Sequence, residues 1–293
     1  SGIPKRLIYL LLISKENNMS LGLSPAFVTL FDAEVKQAYQ GKAVMVGATR
    51  QRRGVEGSTV KFPKVGKGVA TLRVPQTDVV PLNVDFAQVT ATMQDWNAAE
   101  YSDIFMQQKV NFEERSELVQ VVANAIGRRQ DQLILDALLA GKGSTIAHGS
   151  ANLTVAKLRS AKKTLDTKNV PPQDRHMVIH ANNLAHLLSE TSVTSADFNT
   201  VRALVSGELD TFLGFKFHTI GDRTEGGLEI NASSHRKCLA FHKDAIGYAE
   251  GIGPKTEINY VPEKTSFLVN AMLSACSVGI DSEGIVEVLA LES

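Results

Sequence analysis

The sequence predicts an α+β fold, with helices and strands in separate runs rather than in βαβ alternation. Three observations predict it. A long amphipathic helical pattern covers 111–140, and a Gly- and Pro-punctuated, β-branched region covers 46–93. After these comes a block of short helical and strand patterns that ends in strands alone.

The first element is PAFVTLFDAEVKQAYQG, where Phe27, Leu30, Phe31, Val35, Ala38 and Tyr39 recur at helical spacing between Pro25 and Gly41. The next region carries Gly54, Gly57, Gly66 and Gly68, prolines at 63, 75 and 81, and β-branched residues between them. Short strands joined by turns are expected, with proline keeping some at an edge. So long an edge is an aggregation hazard in a lone monomer and makes sense where another subunit covers it.

In NFEERSELVQVVANAIGRRQDQLILDALLAGKG, Asn111 can cap and Glu114 stands three residues on. Leu118, Val121, Val122, Ala125, Ile126, Leu133, Ile134, Ala137 and Leu138 form one apolar stripe, which Gly141 closes. About thirty residues at a 1.5 Å rise make a rod of roughly 45 Å, long enough to act as a spine. A basic amphipathic helix follows from Leu153 to Leu165, then HMVIHA as a short buried strand and ANNLAHLLSE as a helix. GFKFHTI and KCLAFHKDAIGYAEG carry strand patterns. The tail reads as a strand, an apolar segment and a final β-hairpin turning at DSEG.

Composition narrows the function. The chain of 293 residues is 43% hydrophobic and 21% charged, as in soluble globular proteins. Lys plus Arg and Asp plus Glu balance at 31 each, which argues against strong steering towards phosphate. A neutral subunit can also crowd beside many copies without long-range repulsion. Cys238 and Cys276 form neither a CxxC pair nor a disulfide framework and read as small buried apolar residues. No apolar run reaches the ~18 residues that span a bilayer, so no membrane is expected.

No motif carries catalytic chemistry. AGKGST follows a helix and lacks P-loop spacing, so it reads as a helix end and a turn. His176 and His180 flank a strand-like Met177–Ile179, which would hold their side chains ~13 Å apart. The histidines at 148, 186, 218, 235 and 242 are scattered and suggest no shared site. There is no GxSxG elbow and no recognisable acid–base pair among Asp210, Asp222, Asp244 and Asp281. No catalytic residue, metal or cofactor is expected. Arg50, Arg52 and Arg53 form the one basic focus. They could contact phosphates, pair with an acidic neighbouring subunit, or form a solvated arm.

Six stretches in order resemble a known family: FDAEVKQAYQ, VKFPKVGKGVATLRVPQ, KLRSAKKTLDTKNVPPQDRHMVIHANNLAHLL, GELDTFLGFKF, LAFHKDAIGYAEG and GIDSEGIVEVL. Together they resemble a tailed-bacteriophage major capsid protein of the Hong Kong 97-type fold, with the look of the short-tailed (podovirus) branch. The resemblance implies an N-terminal arm over 19–56 and an extended loop over 57–93. It further implies a peripheral domain over 94–149 with spine helix 111–140, an axial domain over 150–253, and returning peripheral strands over 254–293. The implied function is a non-enzymatic shell subunit that assembles into pentamers and hexamers of an icosahedral head around double-stranded DNA.

Its implied partners are other copies of itself, a scaffolding protein, a portal and DNA held without sequence preference. It would assemble in the host cytoplasm and reside in the virion capsid. Inter-subunit contacts are expected from Arg50, Arg52, Arg53, Lys61, Phe62, Lys64 and Lys67. Some relatives cross-link a loop lysine to a neighbour's asparagine. Lys61, Lys64 and Lys67 lie in that loop, but the sequence shows neither the partner Asn nor an assisting Glu. An encapsulin compartment shell shares the fold and is the alternative; a soluble α+β enzyme is the remaining reading.

Residues 1–18 look like an export signal, with Lys5 and Arg6 before the apolar run Leu7–Ile13. SKENNM follows without a small-residue cleavage site. Lys-Glu can be encoded AAG-GAG, a ribosome-binding sequence, two Asn codons ahead of Met19. The expectation is an untranslated leader or a disordered extension, with the working protein starting MSLGLSPAF.

Overall fold

A computed structural model describes residues 40–76, 78–79, 81–109, 114–190 and 211–292. The leader, nearly all of the helix expected over 25–41, and the Asn111 cap lie outside these residues. The described elements begin with strands β1 (Arg50–Arg53), β2 (Thr59–Val65), β3 (Phe86–Thr92) and β4 (Gln94–Asp103). Helices α1 (Ile104–Gln107) and α2 (Glu114–Ala140) follow, then β5 (Ser144–Ile146), α3 (Val155–Thr167), β6 (Arg175–Ile179) and α4 (Ala181–Ser189). The chain finishes with β7 (Thr211–Phe212), β8 (Phe215–Thr219), β9 (His235–His242), β10 (Ile246–Val261), β11 (Ser266–Gly279) and β12 (Ile285–Leu291). The architecture is α+β, as the sequence predicts.

The spine helix is α2, whose 27 described residues span about 40 Å. Val122, Ile126, Ile134 and Leu138 recur on one face and are buried. That face lies on a four-stranded sheet in the order β1-β10-β11-β4, against Val269, Ala271, Leu273 and Ala275 of β11. Val121, expected in the stripe, is on the solvent side at 37% exposure. The same cluster takes in Val178, Leu239 and Phe241, so a continuous core joins this layer to a second sheet.

The second sheet runs β5-β12-β9-β6-β8-β7. All five residues of β6 are buried, in keeping with a central strand. Leu158, Ala161 and Leu165 of α3 and Leu187 of α4 pack on Met177, Ile179, Cys238 and Val288. Thr154 caps α3 by accepting from the Lys157 amide at 3.4 Å, and His180 Nδ1 caps α4 by accepting from the Asn182 amide at 3.3 Å.

The turn at DSEG is where the structure departs from the sequence reading. β11 and β12 do not form a hairpin: β11 pairs with β10 and β4, while β12 pairs with β5 and β9. Both edges of β11 are taken, so the chain after the turn must cross to the other sheet, and β12 belongs there rather than beside β10 and β11. Close packing makes the crossing possible. A Cβ on Gly279 would fall 2.9 Å from the Gly141 Cα, and one on Gly143 only 2.0 Å from the Ser282 carbonyl oxygen. The glycines of AGKGST thus let the end of the spine helix meet the crossover, in agreement with a turn rather than a phosphate loop.

The histidines are less scattered than their positions suggest. His176 Nδ1 lies 2.9 Å from His218 Nε2 across the β6–β8 pair, and the His148 and His235 rings approach to 3.8 Å between centroids. Burial lowers the pKa of His176 to about 4, helped by His218 and Lys216, and burial also lowers that of His218. Asp174, Lys243 and Asp131 are the other charges acting on the pair. The fold therefore favours the neutral rings, whereas the unfolded chain takes up protons below about pH 6.5. Stability conferred by this pair is complete above pH 6.5 and falls as pH drops from there towards 4. Denaturant midpoints measured at intervals from pH 7 to 4.5 should decline over that window, and His176→Gln should flatten the decline.

Candidate assembly surfaces

Two features are fastened to this body: the segment leading in at 40–48 and the hairpin β2–β3. The lead-in segment is fastened through the buried carboxylate of Asp131 on the spine helix. Asp131 Oδ1 accepts from the amides of Val44 at 3.1 Å and Met45 at 2.9 Å, and Oδ2 accepts from Arg223 Nη1 at 2.8 Å. Asp131 is fully buried, and the Arg223 side chain is 7% exposed. Arg223 Nη2 also donates to the Lys42 carbonyl, and Arg128 reaches Gln40 Oε1 at 3.1 Å. A cavity of about 410 Å³ opens beside these groups, lined in part by Lys42, Arg128, Asp222 and Arg223.

The hairpin is antiparallel, in register from Thr59↔Thr92 to Val65↔Phe86. Strand alternation puts Val60, Phe62 and Lys64 on the side turned towards the body and leaves Lys61 outward. Val60, Phe62 and Ala91 pack on Ala249, Cys276 and Ile280. Phe62 has no exposed surface, and a Cβ on Gly247 would lie 2.8 Å from its ring, so only glycine fits beneath it. Phe62 thus makes its described contacts within the subunit, because its alternation parity turns it inward.

The arginines of β1 are exposed along a strand parallel to β10. Arg52 Nη1 donates to the Lys61 carbonyl at 3.2 Å, and its guanidinium lies 5.5 Å from the Phe62 ring centroid. Arg53 pairs with Glu250 of its own chain at 3.1 Å. Lys64 pairs with Asp281, and Lys67 with Glu283. The structure therefore gathers Arg52, Arg53, Lys61, Phe62, Lys64 and Lys67 around the base of the hairpin, while Arg50 opens β1 beside Gly247. Sequence reasoning missed the partners Asp131, Glu250 and Glu283. It noted Asp281 but found no partner for it.

Beyond the base the loop carries exposed apolar side chains among its polar ones. Val69 is 81% exposed, Leu72 94%, Val79 90% and Phe86 81%. Elsewhere the chemistry is that of a scaffold. Burial pushes the Cys238 thiol up to about 12, which leaves it a core group without thiolate character. Among the described residues no group of three or more His, Cys, Asp or Glu side chains could hold a metal ion. Nor is any helix among them long and apolar enough to cross a membrane.

The family model described as phage capsid protein matches residues 23–292. The chain belongs to the phage capsid protein family. No curated protein matches this capsid protein by sequence. Its fold is that of solved phage capsids. Over its whole length and the whole of the other chain it resembles the capsid of cyanophage P-SCSP1u, at TM-score 0.72 and 19% identity. It resembles a chain of Mycobacterium phage Che8 at TM-score 0.69 and 20% identity, covering 93% of this chain and 97% of that one. The head structure of Helicobacter pylori bacteriophage KHP40 gives TM-score 0.72 at 11% identity, covering 94% and 97%. The capsid protein is thus a structural subunit of a phage head.

Proposed function

We propose that this capsid subunit forms pentamers and hexamers through heterologous contacts, and that its extended loop lies on an adjacent copy as the rings close into an icosahedral head. The observation that carries this reading is the exposure of the loop's apolar side chains. Val69, Leu72 and Val79 are almost fully solvated in the single subunit, large apolar side chains on one loop that burial against a neighbouring copy would stabilise. Residues 19–56 serve as the arm, 57–93 as the loop, 94–149 and 254–293 as the peripheral domain, and 150–253 as the axial domain. Scaffolding protein and portal act as partners during assembly in the host cytoplasm. Packaged double-stranded DNA is contacted without sequence preference, consistent with the zero net charge. The six ordered sequence stretches also support a place in the short-tailed branch. The family match supports a phage head over an encapsulin shell.

The test uses Val69→Asp, Leu72→Asp and Val79→Asp together. These side chains are already solvated, so the variant should fold and melt like the parent. Burying one such side chain contributes about 1.5–3 kcal/mol, repeated at every copy, so shell yield by sedimentation should fall at least about tenfold. Undiminished yield would overturn the reading.

A further inference from the structure

The loop leaves the body just past Val65, where the Gly66 amide donates to the Asp85 carbonyl at 2.7 Å. Described residues from 68 to 84 belong to no strand, so its direction is decided at the base. Phe62 holds that base down but does not fix the angle of what lies beyond. Charged contacts tie the chain to the body further out. Lys64 Nζ lies 2.8 Å from Asp281 Oδ1, Lys67 Nζ bonds Glu283 Oε2, and Lys168 Nζ stands 4.0 Å from Glu283 Oε1.

The carboxylates are mounted on the stiff crossover between the two sheets. Asp281 Oδ1 also accepts from the Glu283 amide at 3.1 Å, and a Cβ on Gly284 would fall 2.7 Å from the Ala245 Cβ. The cations are mounted on the projecting strand. Strand parity explains why Lys64, which follows Val60 and Phe62 on the inward face, reaches the turn while Lys61 does not. A cavity of about 230 Å³ beside the pairs, bordered also by His242 and Asp244, admits solvent and ions.

We propose that Lys64 and Lys67 with Asp281 and Glu283 form an electrostatic latch that fixes the direction in which the extended loop leaves the subunit. Under the assembly reading above, on which its importance rests, that direction determines which neighbour the loop can reach. The Lys67 hydrogen bond lowers the Glu283 carboxyl. Burial raises Asp281, but Lys64 and the Glu283 amide bring it below its ordinary value. Both carboxylates stay charged above the usual carboxylate range, so the latch responds to salt rather than to pH near neutrality. His242 and Asp244 are the further titratable groups facing it, and Lys168 the further cation.

The experiment is a distance measurement by pulsed electron resonance on the free subunit, with spin labels at Leu72→Cys and Lys163→Cys. Both native cysteines are buried. At low salt the distribution should be narrow. In Asp281→Asn/Glu283→Gln, or at 1 M salt where the Debye length is about 3 Å, the population outside the main peak should rise several-fold. The charge-swapped set Lys64→Glu, Lys67→Glu, Asp281→Lys, Glu283→Lys should narrow it again. A distribution unmoved by the variant and by salt would overturn the latch, whatever the variant does to assembly. A variant with a broadened distribution that still forms shells at full yield supports the latch and counts instead against the loop-on-neighbour reading.

Discussion

Asp131→Ala is expected to lower the unfolding free energy by about 3–5 kcal/mol, the cost of leaving a buried ionic partner uncompensated. Its carboxylate accepts from two backbone amides and from Arg223, so the alanine variant orphans three donors in a site where neither charge meets much water. Asp131→Asn keeps one carbonyl oxygen for the amides and should lose less. Replacing both members by apolar residues of similar volume should cost less than either single truncation, because no charge is then stranded. Urea unfolding followed by circular dichroism checks all three. A loss below about 1 kcal/mol for Asp131→Ala would show that water or another group satisfies Arg223. Because the lead-in segment is hung on this carboxylate, the same variant should also release the amides of Val44 and Met45 to fast hydrogen exchange.

Phe62→Ala is the second large effect. Truncating a buried phenylalanine costs about 3–5 kcal/mol, and here the loss falls on a small cluster that joins the hairpin to the sheet through Ala249, Cys276 and Ile280. The hairpin should open locally before the body unfolds, because the two-stranded ribbon has little else to pack on. Hydrogen exchange should therefore rise over 59–65 and 86–92 while the spine helix stays protected. Shell formation should fail in a subunit that is still folded. Uniform loss of protection throughout the chain would mean instead that the base of the hairpin and the core unfold as one unit.

Much of this was written locally in the chain. The spine helix declares itself through its apolar stripe and closing glycine, and β6 and α4 through a short buried run followed by a helical repeat. The hairpin is legible from its β-branched residues and prolines. What a linear reading could not supply is which charge meets which. Lys64 and Asp281 are separated by 217 residues, and their pairing follows only once β11, with both edges occupied, throws the DSEG turn across to the second sheet. The same fact turned an expected hairpin into a crossover. The inward turn of Phe62 was readable in principle, because it shares strand parity with Val60. His176 and His218 meet because β6 and β8 are parallel neighbours in register, His176 opposite Lys216 and Val178 opposite His218, a pairing that neither local sequence specifies.

On the proposed reading, these surfaces build a shell. Electron microscopy of the purified subunit, concentrated with the proposed scaffolding protein, tests this. Closed particles of uniform diameter with five-fold vertices are expected. Monodisperse monomer at high concentration across a wide range of salt would contradict it.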